Sequence, residues 1–420
     1  MTVNMDPYLL GEIDISAAGT RCKMLVGDLD SDGRMEIVMV QADGDIDDRY
    51  VPHQVICLTA YDVEGNVLWQ VGEPDENAGG PGSDYPAQIY DIDGDGYNEV
   101  LCVMDKKFLI LNGQTGELKR SFDLPNPEAH DCIIIANLSG NPFPQDIILK
   151  DRYKQMWALD KDFNLLWEHK GNIGHFPWVY DFDQDGHDEV MAGYDYLDHN
   201  GKILWSCQNL DDHADCIWVG HVDPTLSADD PVNIVVGGSV TVMYDTKGNE
   251  LWRYDGSIES QHIALGKFRE DLPGLQIAGL DRIIRGDVQT NSGKDGMFLL
   301  DANGKEIAKE ERKTNGWLTI IETISNWDDH SLDYILAYRR GGGVNPTLYD
   351  GYLNPVVTFP VDGYVVHADL FGEGKEQVII YNNQRAAIFS NETRNLQSNG
   401  KVKGQPKRLY SSTLYPGGEY

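Results

Sequence analysis

The stretch YDIDGDGYNEVLCV (90–103) decides the fold, because it joins two apolar segments through an Asp-rich turn and its form recurs along the chain. The other copies are GDLDSDGRMEIVMV (27–40), ANLSGNPFPQDIIL (136–149), YDFDQDGHDEVMAG (180–193), GHVDPTLSADDPVNIVVGG (220–238), GKFREDLPGLQIAGL (266–280), ETISNWDDHSLDYILAY (322–338) and ADLFGEGKEQVIIY (368–381). The second residues of consecutive copies are 40 to 63 positions apart, a period typical of repeat architectures.

A weaker hairpin follows most copies, as in AYDVEGNVLWQ (60–70) and YDTKGNELWRY (244–254). Gly-Asn or Asn-Gly between alternating apolar residues is a hairpin signal, so each unit reads as four antiparallel strands, A to D. The sequence therefore predicts an all-β fold, an eight-bladed β-propeller forming one domain over residues 1–420. The blades would begin near residues 20, 84, 129, 174, 213, 261, 316 and 363. Segment 8–20 could complete the last blade.

The composition excludes several classes of protein. The 420 residues carry 68 Asp+Glu against 34 Lys+Arg, a net charge of −34, which disfavours nucleic acid as a partner. An apolar content of 41% excludes disorder, and no apolar run is long enough to cross a membrane. The six cysteines form no CxxC pair, and the N-terminus lacks a basic start followed by an apolar segment. We expect a cytoplasmic protein, or a secreted one if a leader has been removed.

Three of the A–B turns have a complete D-x-D-x-D-G-x-x-E pattern, and they point to about three structural calcium sites. Alternating carboxylates, a main-chain carbonyl at the seventh position and a bidentate Glu supply the oxygens that Ca²⁺ needs. The predicted ligands are Asp28, Asp30, Asp32, Arg34 and Glu36; Asp91, Asp93, Asp95, Tyr97 and Glu99; and Asp181, Asp183, Asp185, His187 and Glu189. The alternative is an Asx-turn with solvated carboxylates, although like charges this close would repel each other without a cation.

In a propeller, the D–A and B–C connections share the face opposite these loops. Each D–A connection carries a polar or aromatic residue just before strand A: Tyr85, His130, His175, His213, His262 and Trp317. A single histidine here would often be a packing residue, but four in register favour acid–base chemistry.

Much of the scarce positive charge also falls on that face. The basic residues of the B–C connections include Lys150, Arg152, Arg282, Arg285, Arg339 and Arg340. Because an Arg fork matches a carboxylate, this clustering predicts an anionic ligand. The residues that would offer flat surfaces to its sugar rings are Tyr85, Tyr153, Trp178, Trp218 and Trp317. Solvated polar loops are the simpler alternative.

Two stretches carry a family resemblance. GDLDSDGRMEIVMV…YPAQIYDIDGDGYNEVL and DFDQDGHDEVMAGYDYLDHNGKILWS…DDHADCIWVGHVDP resemble blades of polysaccharide lyase family 11, the rhamnogalacturonan lyases, over about residues 20–260. The resemblance implies a calcium-binding eight-bladed propeller that performs β-elimination at a uronic acid next to rhamnose. It also indicates a shortened member, without the N-terminal β-sandwich usual in the family, and so acting on oligosaccharides. We expect an anionic oligosaccharide or polysaccharide as substrate and favour exo action.

β-Elimination needs a base, an acid and positive charge at the uronate carboxylate. We assign base and acid to His175 and His213, with His130, His262 and Tyr85 as reserves and Lys150 as a further possible base. Arg339, Arg340 or Arg152 would hold the carboxylate.

Two alternatives stay open. A rhamnosidase-like hydrolase would use a carboxylate pair, and Asp131, Asp195, Asp212 and Asp215 lie on the same face. A non-catalytic carbohydrate-binding propeller would use no catalytic group at all, since a fold does not fix a function.

Overall fold

The computed structural model describes residues 6–47, 49–78, 84–227, 230–287, 292–312, 318–339, 342–393 and 418–419. Over these residues the chain is all-β, as predicted, and its one helical turn is a 3₁₀ segment at Ser16–Ala18. None of the helical structure described is long and apolar enough to span a membrane. The chain divides into two compact units, the N-terminal unit (8–169 with 364–414) and the central unit (1–7, 170–363 and 415–420).

The N-terminal unit contains sixteen strands. They are β1 (Tyr8–Asp14), β2 (Lys23–Gly27), β3 (Glu36–Ala42), β4 (Val55–Tyr61), β5 (Val67–Gly72), β6 (Ala87–Tyr90), β7 (Glu99–Met104), β8 (Lys107–Asn112), β9 (Leu118–Asp123), β10 (Ile133–Ala136), β11 (Asp146–Lys150), β12 (Gln155–Leu159), β13 (Leu165–Lys170), β30 (Tyr364–Ala368), β31 (Gln377–Tyr381) and β32 (Arg385–Ser390). The sheet orders are β2-β3-β4-β5, β6-β7-β8-β9, β10-β11-β12-β13 and β30-β31-β32-β1, and one parallel bridge between Val55 and Met104 joins the first two.

The central unit repeats the same meander. Its strands are β14 (Trp178–Tyr180), β15 (Glu189–Ala192), β16 (Asp195–Leu197), β17 (Ile203–Ser206), β18 (Cys216–Gly220), β19 (Asn233–Gly237), β20 (Thr241–Tyr244), β21 (Glu250–Tyr254), β22 (Ser260–Gly266), β23 (Gln276–Asp287), β24 (Ser292–Leu300), β25 (Glu306–Arg312), β26 (Ile320–Ile324), β27 (Tyr334–Tyr338), β28 (Thr347–Tyr349), β29 (Pro355–Thr358) and β33 (Gly418–Glu419). They form four antiparallel groups of four, β14–β17, β18–β21, β22–β25 and β26–β29, and β33 adds to β18 in parallel.

The N-terminal strand β1 completes the sheet that contains β30 to β32. It pairs antiparallel with β32, from Tyr8 opposite Ser390 to Asp14 opposite Arg385. Apart from β33, the described strands thus fall into eight groups of four. One of these groups joins the first strand of the N-terminal unit to its last three.

Burial differs between the inner and outer strands of each group. β7 and β11 are buried at every residue, whereas most residues of the outer strand β9 are exposed. The inner strands are apolar on both faces because neighbouring sheets cover them, which explains the continuous Val, Ile and Leu runs of the sequence. All six cysteines are free and five are buried.

The outer strands carry a repeated irregularity. Leu111 pairs with Leu118 while Ile110 pairs with Arg120, so Lys119 lies in a β-bulge between them. The same shift places Leu68 in a bulge of β5 and Leu204 in a bulge of β17. The bulge lies next to the C–D turn of its own group.

A tryptophan after the bulge ties each of several sheets to the next. Trp252 Nε1 donates to Ala302 O at 3.1 Å, and Trp69 Nε1 donates to Gly113 O at 2.7 Å. The glycine of the contacted turn is required, since a Cβ on Gly304 would lie 2.5 Å from the Trp252 ring. The recurring Trp and the recurring turn Gly are therefore partners in one contact.

Candidate active site and metal-binding loops

The three Asp-rich turns fold alike. We call residues 28–36 loop 1, residues 91–99 loop 2 and residues 181–189 loop 3. In each loop the sixth residue is a glycine with φ of +90° or +91°, and the fourth residue also has positive φ. In loop 3 the amide of Gly186 donates to Asp181 Oδ2 at 3.0 Å, and the amide of Phe182 donates to Glu189 Oε2 at 3.0 Å. The left-handed residues bend the backbone so that the carboxylates face inward.

This bend brings carboxylate oxygens close enough to share a cation. Oxygens of Asp28, Asp30 and Asp32 in loop 1 lie within 4.8 Å of one another, as do those of Asp91, Asp93 and Glu99 in loop 2, and of Asp181, Asp183 and Glu189 in loop 3. Burial, reinforced by the neighbouring carboxylates, raises the pKa of Glu36 to about 8 and that of Glu189 to about 7. Without a cation, burial and mutual repulsion disfavour the ionised form of these glutamates. A divalent cation among the carboxylates would stabilise that form, so the residues of loops 1 and 3 fit calcium.

Loop 2 differs because a lysine side chain enters it. Lys119 Nζ lies 2.7 Å from Asp93 Oδ2, 2.6 Å from Glu99 Oε1 and 3.4 Å from Asp95 Oδ2. Burial alone would lower the pKa of this ammonium, but the hydrogen bonds and charges of Asp93 and Glu99 outweigh burial and raise it. Burial raises the pKa of Glu99 as well, and Lys119 opposes that rise.

In the central unit, two of the predicted histidines meet a carboxylate. His213 Nε2 lies 3.0 Å from His175 Nε2, and the two rings are edge to face with centroids 4.7 Å apart. Asp215 Oδ1 lies 3.6 Å from His175 Nε2 and 3.7 Å from His213 Nε2. We call His175, His213 and Asp215 the histidine cluster. Two imidazole nitrogens at this distance can share one proton, and these atoms could also share a metal ion.

Backbone contacts between two D–A connections bring the histidine cluster together. The amide of His175 donates to Ala214 O at 3.0 Å, and the amide of Asp215 donates to Gly237 O at 2.8 Å. Gly174 has φ of +65°, and a Cβ there would lie 2.6 Å from Ala214 O. The glycine before His175 therefore allows one connection to lie against the next.

The exposure of the two imidazoles differs. The side chain of His175 is 4% exposed and that of His213 is 24% exposed, and His213 Nδ1 lies 2.6 Å from Asp212 Oδ1. His213 is thus the imidazole that a ligand can reach from solvent, with Asp212 orienting its other nitrogen.

The N-terminal unit holds a second polar cluster at the start of β10. Lys150 Nζ lies 2.5 Å from Asp131 Oδ2 and 2.8 Å from Arg152 O, and Arg152 Nη1 lies 2.8 Å from Asp131 Oδ1. The side chains of Asp131 and Lys150 have no exposed surface. We call Asp131, Lys150 and Arg152 the lysine–arginine cluster. The ammonium of Lys150 thus has its partners inside the protein, at Asp131 and Arg152.

Arg152 and Tyr153 contact each other at the edge of this cluster. Arg152 Nη2 donates to the Tyr153 hydroxyl at 3.1 Å, and the guanidinium lies 4.9 Å from the ring centroid. The side chain of Arg152 is 5% exposed, so most of its guanidinium faces protein atoms.

The reserve residues of this unit, Tyr85 and His130, are also buried. The Tyr85 hydroxyl donates to Arg21 O at 3.0 Å, and the Lys23 ammonium lies 4.5 Å from the Tyr85 ring centroid. His130 Nδ1 lies 3.0 Å from His53 O. These contacts join neighbouring sheets.

The remaining predicted residues of the central unit belong to the groups β14–β17, β22–β25 and β26–β29. His262 is buried within β22, and Arg339 is buried directly after β27. Arg282 is buried and paired with Glu259. Trp178 is half-buried in β14, the strand that follows His175. Arg340, Trp317 and the side chain of Arg285 lie outside the described residues.

Two residues of these sites were not assigned a site role from the sequence. Asp215 was considered only as a carboxylate for hydrolysis, although its position two residues after His213 in DDHADC is a usable signal. Lys119 was not singled out at all. The signal was present, since GELKR carries a lysine where the sister hairpins GNVLW and GKILW carry leucine.

The chain resembles known proteins in sequence. Residues 148–317 match the family model of the rhamnogalacturonan lyase family 11 C-terminal domain. The chain is also 22% identical to the rhamnogalacturonan exolyase YesX of Bacillus subtilis (strain 168), over 48% of this chain and 42% of that protein. The matched part therefore spans less than half the length of the curated relative.

Solved structures share the fold over most of the chain. The exotype rhamnogalacturonan lyase YesX matches with a TM-score of 0.67 at 18% identity, covering 96% of this chain and 84% of that one. A rhamnogalacturonan lyase PL11 of Bacillus licheniformis matches with a TM-score of 0.61 at 16% identity, covering 100% and 84%. BamB of Moraxella catarrhalis matches with a TM-score of 0.53 at 12% identity, covering 91% and 97%. The sequence matches confirm the resemblance to polysaccharide lyase family 11 first seen in the Asp-rich loops, and the solved structures show that the fold is shared.

Proposed function

We propose that this chain is a polysaccharide lyase that cleaves a rhamnose–uronic acid linkage of a rhamnogalacturonan-type substrate by β-elimination. The kinship with family 11 supports the reaction class. The observation that carries the proposal is the histidine cluster, in which two imidazole nitrogens lie 3.0 Å apart beside a carboxylate. A partly exposed imidazole with a second imidazole behind it is suited to take and return a proton near neutral pH.

In this proposal each residue of the site has a separate role in the elimination. His213, the more exposed imidazole, would take the C5 proton of the uronate as its electron pair moves toward the carboxylate. His175 shares the proton, and Asp215 stabilises the imidazolium that forms. The C4=C5 double bond then forms as the C4–O4 bond breaks, and the imidazole pair returns a proton to the leaving O4. Arg339 is our choice for the uronate carboxylate. Gly343 approaches it closely, since a Cβ there would lie 3.0 Å from Arg339 Nη1.

The histidine cluster also fits a divalent cation, because its nitrogen and oxygen atoms lie within 4.8 Å of one another. Such a cation would supply positive charge for the uronate carboxylate. Metal analysis of the purified protein, compared with a His175→Ala variant, distinguishes this form of the site from one that holds only a shared proton.

The eight four-stranded groups support a β-propeller architecture. We propose that they are the blades of an eight-bladed β-propeller, with β1 closing the last blade. We also propose exo action, because the curated relative that the chain matches is a rhamnogalacturonan exolyase. An exo enzyme releases one short product from the start of the digest, whereas an endo enzyme first produces a ladder of sizes.

The direct test is digestion of rhamnogalacturonan oligosaccharides, followed by ultraviolet absorbance. Only elimination leaves an unsaturated uronate, so rising absorbance supports the lyase. New reducing ends without absorbance would identify a hydrolase instead, and binding without any product would identify a carbohydrate-binding module.

Loops 1 and 3 are the proposed structural calcium sites. Binding to the folded state alone raises its stability by about 2.7 kcal/mol at a free calcium concentration 100 times Kd. We therefore expect a chelator to lower the melting temperature by about 5 °C and added calcium to restore it. An unchanged melting curve would contradict structural calcium.

A further inference from the structure

The ammonium of Lys119 occupies the centre of loop 2. It contacts three of the four acidic side chains of that loop, at 2.6 to 3.4 Å. Asp93 and Glu99 are two of the three carboxylates whose oxygens converge in loop 2. The positions that a calcium ion would use are thus already paired with a fixed positive charge.

Within the part of the chain that the structure describes, no lysine enters loop 1 or loop 3 in this way. The bulge position of the outer strand is Lys119 in the group that contains loop 2, but Leu68 in the group of loop 1 and Leu204 in the group of loop 3. Leu68 is 45% exposed and Leu204 is 50% exposed. Among the described residues, no Lys or Arg nitrogen lies within 4.0 Å of the carboxylates of Asp28, Asp181 or Asp183.

We propose that Lys119 replaces calcium in loop 2, so that loops 1 and 3 bind the metal while loop 2 is held by the protein's own ammonium. This inference rests on the proposed calcium sites and deepens them, because it states which loops take metal and which side chain decides.

Charge and coordination both support the replacement. Ca²⁺ takes six to eight oxygens at 2.3–2.6 Å, and its affinity follows the number of charged ligands. An ammonium at 2.6 Å from Glu99 and 2.7 Å from Asp93 offsets one negative charge and fills the space between them. Calcium would have to displace a hydrogen-bonded, partly buried lysine, which weakens binding there.

The experiment compares calcium binding by matched variants in isothermal titration and equilibrium dialysis. Lys119→Leu installs the residue found at the same bulge in the sister groups, and it should gain one calcium with a Kd at least about tenfold lower than any binding at loop 2 of the wild type. Adding Asp93→Asn to Lys119→Leu should remove that site again. In the wild-type background, Asp93→Asn should leave the number of bound ions unchanged, whereas Asp183→Asn should remove one.

The reciprocal change is Leu204→Lys, which introduces an ammonium at the bulge of loop 3. It should lose one calcium, and its exposed position makes a folding defect easy to separate by a melting curve in chelator. If Lys119→Leu gains no site while Asp183→Asn loses one, the role of Lys119 is refuted but the calcium loops stand. If neither the wild type nor Lys119→Leu binds calcium, the calcium loops themselves are refuted.

Discussion

Both the histidine cluster and the lysine–arginine cluster contain residues that stand just before the first strand of a four-stranded group. The two clusters nevertheless differ in chemistry. Asp131 immediately precedes the group of β10, while His175 and Asp215 precede the groups of β14 and β18. In the lysine–arginine cluster, one carboxylate meets two buried cations. In the histidine cluster, one carboxylate meets two imidazoles, and the side chain of His213 keeps 24% of its surface exposed.

The two clusters differ in whether they are suited to exchange a proton with a ligand. An ion pair inside protein is costly to break, so the arrangement of Asp131, Lys150 and Arg152 is suited to holding the fold. Imidazoles change charge near neutral pH, and a partly exposed one can pass a proton to a ligand. A polar residue before strand A is therefore not in itself a functional signal. Its neighbours across the sheet boundary decide the role.

The largest expected effect is on turnover. His213→Ala should lower the rate of elimination by about 10²- to 10⁴-fold, because a group that moves a proton in the transition state contributes on that scale. The melting temperature should barely change, since the side chain is partly exposed. Initial rates by ultraviolet absorbance measure the effect.

The matched control for that variant is His330→Ala, whose side chain is 77% exposed. It should keep full activity. Equal activity of His213→Ala and His330→Ala would remove the histidine cluster from the reaction.

The next effect is on stability. Asp131→Ala leaves the buried charges of Lys150 and Arg152 without their carboxylate, and removal of one partner from a buried ion pair costs about 3–5 kcal/mol. Urea unfolding should show this loss. Asp123→Ala, at a side chain 86% exposed and paired only with Lys107, should change the free energy of unfolding by no more than about 0.5 kcal/mol.

A similar loss of unfolding free energy for both variants would mean that the lysine–arginine cluster adds no more stability than an exposed ion pair. A variant of Asp131 that fails to fold can be replaced by Asp131→Asn, which keeps the shape and removes the charge.

The smallest expected effect is the loss of stability in Arg152→Lys, a variant of the lysine–arginine cluster. Arg152→Lys keeps the charge but loses the hydrogen bond to the Tyr153 hydroxyl, and we expect a loss of about 1 kcal/mol of stability. Turnover at saturating substrate should stay within about twofold of wild type if this arginine supports the fold alone. A large rise in KM at unchanged stability would return Arg152 to the substrate site.

Much of the fold could be read from the sequence because its signals are local. Strand alternation, Asn-Gly turns and the repeated Asp-rich loops each lie within about a dozen residues, and they predicted all-β structure and the form of loops 1 to 3. The pairing of β1 with β32 joins residues more than 370 positions apart, and the sequence offered it only as a possibility.

The candidate site could be read only in part. The sequence predicted a role for His175 and His213, and the structure brings their imidazoles together. The sequence grouped them with His130 and His262, which have other surroundings. Which histidines meet depends on Gly174 letting one connection lie against Ala214 of the next, a contact that local patterns do not encode.

The sequence by itself determined the repeat, its strands and the carboxylate content of the three loops, since these depend on residues joined by a short length of chain. Only the tertiary structure decided that Lys119 enters loop 2 and that His175 and His213 face each other with Asp215 between them. The physical reason is that charge and proton exchange depend on distances of a few ångströms between side chains, and such distances are set by how separate strands and connections pack.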